Sequence, residues 1–408
     1  MMYPNTYSAV LDVIQRRPGI SRTDLAAATD LTPAAISKIV ANLIALGLVV
    51  EEGRASSGGG RPPVRLMINA SKCYIVGVDL ARSGIRAALV DLNGHVHHRL
   101  RQESAMASAN DITIDNLLDI LRDLLAWARS RQMQVIGVGV GAPGPLSVHQ
   151  GVLLTPPNFT RWRNVPLKQI VEEAFHVPVW IDNDANACAL AERWFGGGRS
   201  FDSFIYIAVG TGVGAGVILN GALFRGAHDI AGELGHTTVE AAGPRCSCGN
   251  YGCLELYTSA PAIVAVALAA LRRGESSAIA ELVGGRLEHI TIQTIVQAAH
   301  AGDRLALRTL DHVARYLSVG LINTITLCVP EAVFLGREVS QAAGELLLEP
   351  IRAIVAERAF STAAERVQIL LALLGEDAPV IGAACLVLQE LFSAPERILA
   401  ASSRTRVG

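Results

Sequence analysis

The apolar residues of this chain change their period at about residue 72, and that change limits what it can fold into. Before it they recur at helical spacing: Ile36, Val40, Leu43 and Ile44 share one face of PAAISKIVANLIAL. After it they come in short β-branched runs punctuated by glycine. VIGVGVGAP at 135–143 and FIYIAVGTGVGAGVIL at 204–219 read as buried strands. Amphipathic segments at 111–131 and 168–175 read as helices, the C-terminal third is mostly helical, and one more strand is expected at Ala332–Leu335. Strands alternating with helices predict an α/β body, here in two lobes, behind a small helical module. Half of the 408 residues are hydrophobic but aromatics make up only 5%, so Ala, Leu, Val and Ile must fill the core.

The N-terminal module carries its own punctuation. A helix at 7–16 ends near Pro18-Gly19. Ser21 then reads as an N-cap, with Asp24 placed for a capping box. Thr32-Pro33 starts the next helix, with a capping Thr and Pro at the first helical position. Gly47 stands where a C′ glycine belongs. Strands at 48–50 and 64–68 flank the loop SSGGGRPP. Three helices followed by a hairpin with a long tip is the layout of a winged helix-turn-helix, assigned to residues 1–70.

Such a module places its second helix of the pair in the major groove of double-stranded operator DNA. The outward residues there are Ala34, Ala35, Ser37, Lys38, Ala41 and Asn42. Ala35 suits a thymine methyl, and Ser37, Lys38 and Asn42 suit base edges or phosphates. Arg54 and Arg61 sit on the wing, where an Arg suits a narrow A/T-rich minor groove. Residues 1–72 hold eight Lys and Arg against five Asp and Glu, in a chain whose formal net charge is −2. That asymmetry favours nucleic acid over a protein-docking module.

Seven cysteines in a chain of this size give no disulfide framework. Cys73, Cys188, Cys328 and Cys385 stand alone in apolar surroundings and read as core residues. The other three cluster in GELGHTTVEAAGPRCSCGNYGCLE. His236, Cys246, Cys248 and Cys253 follow the spacing H-x9-C-x-C-x4-C. Three thiolates and an imidazole close a tetrahedral Zn²⁺ site and leave no position for an activated water, so the expected zinc is structural. There is no basic-then-apolar leader and no run of 18 apolar residues. A soluble cytoplasmic protein without a membrane partner is expected.

Further polar groups stand at strand ends and beside the cysteine segment. GAPGP (141–145) follows a buried strand, and IDNDANACALAE (181–192) puts Asn183 and Asp184 at a strand end before a helix. Glu233 and Glu255 flank the cysteine segment. Carboxylates with an Asn suit a polyhydroxylated ligand, and an Asp there can act as a general base. The competing readings are that Asp184 caps the helix and Glu233 lies on the surface. GTGVGAG (210–216) suits phosphate, although glycine-rich turns alone are weak signals.

Taken in order, VDLARSGIRAALVDLNG, GAPGP, PPNFTRW, DNDANACALAE, GTGVGAG, GELGH and CSCGNYGCLE resemble the ROK family of repressors and sugar kinases. The winged module with GRPP resembles its repressor branch. The resemblance implies an actin-like (ribonuclease H-like) sugar-kinase fold: a first lobe of residues 71–192 with 378–408, a second lobe of 193–377, and a sugar in the cleft between them. It carries sugar contacts onto Asn158, Asn183, Asp184, Glu233, His236 and Glu255, with Asp184 matching the kinase base. Kinases of the family read Asp-x-Gly-Gly-Thr at the first phosphate loop. Here Asp79 is followed by Leu80, Ala81, Arg82 and Ser83. The later adenosine-side motif reads Gly336-Arg337-Glu338. The base would then be vestigial and the chain no enzyme, but a repressor of carbohydrate-utilisation genes. Xylose, glucose or an N-acetylated hexosamine would be the effector, and the assembly a homodimer or homotetramer. A sugar kinase with an appended DNA-binding module is the alternative, and a scaffold under a protein partner the third reading.

Overall fold

A computed structural model describes residues 6–54, 64–81, 84–103, 114–155 and 162–404. The chain divides into two compact units, residues 1–199 with 377–408, and residues 200–376.

The first unit opens with α1 (Thr6–Arg16), α2 (Arg22–Thr29) and α3 (Pro33–Ala45), then the antiparallel pair β1 (Val49–Arg54) and β2 (Val64–Ile68). Local chemistry sets the helix ends. Ser21 Oγ accepts from Asp24 N, and Thr32 Oγ1 accepts from Ala35 N at the Pro33 start. Asp24 does not complete the expected capping box; its carboxylate accepts from the Ser21 hydroxyl at 2.7 Å. Gly47 has φ +74°, and its N–H and that of Leu48 satisfy the carbonyls of Ile44 and Leu43, closing α3. Ile36, Val40 and Leu43 are buried, whereas Ile44 is only half-buried.

The α/β part of this unit holds β3 (Tyr74–Ala81), β4 (Gly84–Asp91), β5 (Val96–Glu103), α4 (Ile114–Ser130), β6 (Val135–Ala142), the short pair β7 (Leu146–Ser147) and β8 (Val152–Leu153), α5 (Leu167–Phe175), β9 (Val179–Asn183) and α6 (Asp184–Phe195). The sheet order is β5-β4-β3-β6-β9, antiparallel through β3 and parallel from there on. One face is covered by α4 and α5. Leu117, Leu121 and Leu124 of α4 are fully buried there, each worth roughly 1.5–3 kcal/mol.

The second unit holds β10 (Phe204–Val209), β11 (Val213–Leu219), β12 (Ala222–Leu223), α7 (Glu255–Thr258), α8 (Ala260–Arg272), α9 (Ala278–Leu282), α10 (Ile292–His300), α11 (Arg304–Cys328), β13 (Ala332–Gly336), α12 (Arg337–Ala343), α13 (Glu345–Arg358), α14 (Ser361–Ala364) and β14 (Gln368–Leu371). Its sheet order is β12-β11-β10-β13-β14, the connectivity of the first sheet repeated: a three-stranded meander, then two parallel strands. The chain then returns to the first unit as α15 (Ala378–Ser393) and α16 (Pro395–Arg404). There α15 covers β3 and β6 so closely that a Cβ on Gly77 or Gly139 would stand 1.9 or 1.8 Å from the carbonyl oxygen of Val380 or Ala383. Of the lone cysteines, Cys73, Cys188 and Cys385 are buried and Cys328 is half-buried. Among the described residues no single helix is long and apolar enough to cross a membrane.

Candidate functional site

Parallel strands deliver their carboxyl ends to one edge of a sheet, where ligands of open α/β sheets bind. In the first unit the register pairs Asp79 with Gly141 and Gly141 with Asp182, so the ends of β3, β6 and β9 form one row. The next residue of β9, Asn183, lies beside Ala142 at the head of the GAPGP turn. Asn183 is also the N-cap of α6: its Oδ1 accepts from Ala185 N at 2.8 Å. The cap reading therefore belongs to Asn183, and Asp184 starts the first turn, half-buried. Asp182 is fully buried and accepts from Asn183 N and from Asn186 Nδ2.

Asp79 is fully buried, and its Oδ2 is held by Arg86 at 2.7 Å. Sequence reasoning passed over Arg86. Its signal was in the hairpin itself: the antiparallel register of β3 and β4 pairs residue 79 with residue 86. Ala81 ends β3 and is half-buried. Arg82, Ser83 and Asn158 lie outside the described residues.

In the second unit the turn Gly210-Thr211-Gly212 joins β10 to β11. The end of β10 is in parallel register with Gly336 on β13, so Arg337 and Glu338 follow beside that turn. The Glu338 carboxylate packs on it: a Cβ added to Gly210 would stand 2.7 Å from its Oε2. Arg337 has φ +69°, a conformation that favours glycine over a branched or long side chain. The backbone there keeps a glycine's shape while the side chains are large and charged.

GELGH owes its glycines to contact with β11. A Cβ on Gly232 or Gly235 would stand 2.0 or 2.1 Å from the carbonyl oxygen of Ala215 or Val213, and Gly232 has φ +89°. Two bare positions let the segment lie on the strand, and the residues after each, Glu233 and His236, are fixed by that seating. Glu233 is exposed and His236 half-buried. Glu255 opens α7 and reaches the glycine turn, its Oε2 accepting from Val213 N at 3.0 Å. One of its oxygens is thus committed to the backbone, which the sequence did not reveal.

His236, Cys246, Cys248 and Cys253 form the metal-competent group. Their ligand atoms all lie within 4.8 Å of one another. Cys246 Sγ is 3.6 Å from His236 Nδ1, and Cys248 Sγ is 3.7 Å from Cys253 Sγ. A disulfide needs about 2.05 Å. The edge of a tetrahedron with metal–sulfur bonds of about 2.3 Å is about 3.8 Å. Burial, with hydrogen bonds to the neighbouring Cys248 and Cys246, pushes the Cys253 thiol up to about 12. A cation reverses that preference, because it stabilises the thiolates that crowding opposes. Four sequence-selected residues, the first and last 17 positions apart, are brought together here.

On helix α3, Ser37, Lys38 and Asn42 are exposed and Ala35 is half-exposed. Ser37 Oγ donates back to Pro33 O at 2.9 Å, and Asn42 Nδ2 donates to Tyr7 Oη at 2.9 Å. Arg54 ends β1, opposite Val64, after a bulge at Gly53. Arg61 lies outside the described residues.

A family model described as ROK family matches residues 75–390, and one described as MarR family matches residues 3–61. The chain is 35% identical over 387 residues to the xylose repressor of Caldicellulosiruptor bescii, covering 95% of this chain and 96% of that protein. The crystal structure of a ROK family transcriptional regulator, a homologue of the E. coli MLC protein, matches with a TM-score of 0.81 at 28% identity, over 98% of this chain and 99% of that one. A ROK family glucokinase from Streptomyces griseus, in complex with glucose and AMPPNP, matches with a TM-score of 0.69 at 34% identity, over 77% of this chain and 98% of that one.

Proposed function

The chain belongs to the ROK family, and from that premise we propose that it is a sugar-responsive, DNA-binding transcriptional repressor of carbohydrate-utilisation genes. The observation that carries this reading is similarity to a xylose repressor along nearly the whole chain, winged module included, where the glucokinase match spans only 77% of it. D-xylose is the first effector to test.

The proposed sugar contacts are Asn158, Asn183, Asp184, Glu233, His236 and Glu255. Carboxylates and amides pair with hydroxyls, and a site built on such pairs rejects an analogue lacking one of them. The proposed metal is structural Zn²⁺ held by His236, Cys246, Cys248 and Cys253, whose spacing fits a closed tetrahedron. It would tie the 236–253 segment together and fix the ring of His236, a positioning role. Proposed DNA contacts are Ala35, Ser37, Lys38 and Asn42 on α3 and Arg54 and Arg61 on the wing, in a homodimer matching two half-sites.

Phosphoryl transfer is not part of the proposal. It depends on backbone amides and cations cradling polyphosphate. Here Glu338 sets a carboxylate against the glycine turn, and Ala81, Arg82 and Ser83 follow Asp79 where the kinases carry Gly-Gly-Thr. The test is fluorescence anisotropy on DNA upstream of the coding region, titrated with D-xylose, D-glucose and N-acetylglucosamine. Release by one sugar, with a loss of affinity of about tenfold or more, is expected. Tight DNA binding that no sugar disturbs would overturn the reading.

A further inference from the structure

The first helix of the DNA-binding module is buried on more sides than a three-helix module requires. Seven consecutive residues of α1, Ala9 to Gln15, are buried. A surface helix with one partner buries a stripe of about three or four residues in seven. Here there are two partners: α1 packs on α2 and α3, and also on α6 and α15.

The second contact is polar at its centre. Asp12 Oδ1 accepts from Arg193 Nη2 and from Trp194 Nε1, both at 3.0 Å. The Asp12 and Arg193 side chains are only 6% and 4% exposed. Arg16 adds a reciprocal clamp. Its Nε and Nη2 donate to the Arg199 carbonyl at 3.0 and 2.8 Å, and Arg199 Nη2 donates to the Gln15 carbonyl at 2.9 Å. Apolar helix contacts tolerate some sliding. A buried charge shared by a guanidinium and an indole N–H fixes one docking angle, because any other leaves the charge without its partners.

The helix that makes this joint, α6, begins at the sugar pair: Asn183 caps it and Asp184 is its first residue. Its 12 residues span about 18 Å. It has little room to bend, since a Cβ on Gly382 of α15 would stand 2.2 Å from the Ala187 carbonyl oxygen. A shift at one end of a stiff, clamped helix appears at the other.

We propose that α6 couples the ligand to DNA, and that the Asp12–Arg193–Trp194 joint passes the displacement of its sugar end to α1 and so to the winged module. This rests on the sugar-responsive reading above. The joint residues are buried and lie outside the proposed sugar and DNA contacts, so they act as positioning residues. By linkage, the same coupling makes DNA lower the affinity for sugar.

The test uses the full-length chain and the variants Trp194→Phe, Arg16→Ala and Asp12→Asn. Trp194→Phe removes one hydrogen bond and keeps a ring to pack on Phe392, 5.6 Å away, and Arg16→Ala acts at the partly exposed rim, so folding is retained in at least two variants. Calorimetry gives sugar affinity, and anisotropy gives DNA affinity with and without saturating D-xylose. In the wild type the two DNA affinities differ by about 10–100-fold. In the variants that ratio falls below about threefold, while sugar affinity stays within about threefold, as for sites without shared partners. Variants that keep the wild-type ratio would overturn the coupling alone, as would variants that lose sugar binding along with it. A wild type that binds DNA and ignores every sugar would overturn the function as well.

Discussion

Two loops meet β11 of the second unit, one packed on the strand and one leading into it, and their chemistry differs in kind. GELGH is seated on β11 by Gly232 and Gly235 and carries Glu233 and His236, the latter locked into the metal-competent group. The neighbouring turn Gly210–Gly212 has the bare backbone that suits phosphate, yet the Glu338 carboxylate packs on it. The first loop presents an exposed carboxylate, Glu233, the kind of acceptor the proposed sugar site calls for. The second keeps a shape made for polyanions and fills it with negative charge. The charge at this turn is therefore set by one side chain, Glu338, while the backbone beside it holds the positive φ of Arg337, a conformation that favours glycine.

Removing the metal is the strongest way to break the contrast. Cys246→Ser, or dialysis against a chelator, should lower zinc from about one per chain to none, since each of the four ligands is needed to close the tetrahedron. Sugar binding should be lost with it, while DNA binding persists; plasma emission spectroscopy and calorimetry read both. Zinc that stays stoichiometric in the variant would show that the ligands are misassigned.

Asp184→Asn comes next and tests the sugar side. A charge-assisted hydrogen bond is worth about 1.5–3 kcal/mol, so sugar affinity should fall roughly 10–100-fold by calorimetry. The phosphate side is sharpened by Glu338→Gly with Arg337→Gly, which suits the positive φ and removes the carboxylate. Lifting one like charge at about 4 Å is worth about 1 kcal/mol in water, so AMPPNP affinity should rise about fivefold from a weak baseline. No change would mean that Glu338 does not guard the turn. The smallest effect is expected on the wing. Arg61→Ala should weaken DNA binding a few-fold and reduce the salt slope by about one, read by anisotropy between 50 and 200 mM salt as rough limits.

Much of the winged module was legible because caps and breakers are local. Thr32, Pro33 and Gly47 mark α3 within a few residues, and the structure uses them as such. The metal-competent cluster was legible for a similar reason: thiols and imidazole at short spacing have little other use. What escaped reading depends on distant partners. The repeated strand order of the two sheets leaves no sequence repeat, because topology constrains burial and not residue identity. Glu338 beside Gly210 and Glu255 on Val213 N join segments far apart in the chain. Nothing near Asp12 in the chain marks it, because its partners Arg193 and Trp194 lie 181 and 182 positions away.

The most direct measurement is anisotropy of labelled upstream DNA with the full-length protein, titrated with D-xylose in the presence and absence of Mg-ATP, with ADP followed in the same samples. Release by sugar alone, unchanged by ATP and without ADP, is the expected result. Release that requires ATP, or ADP accumulating with sugar, would contradict it and restore the kinase.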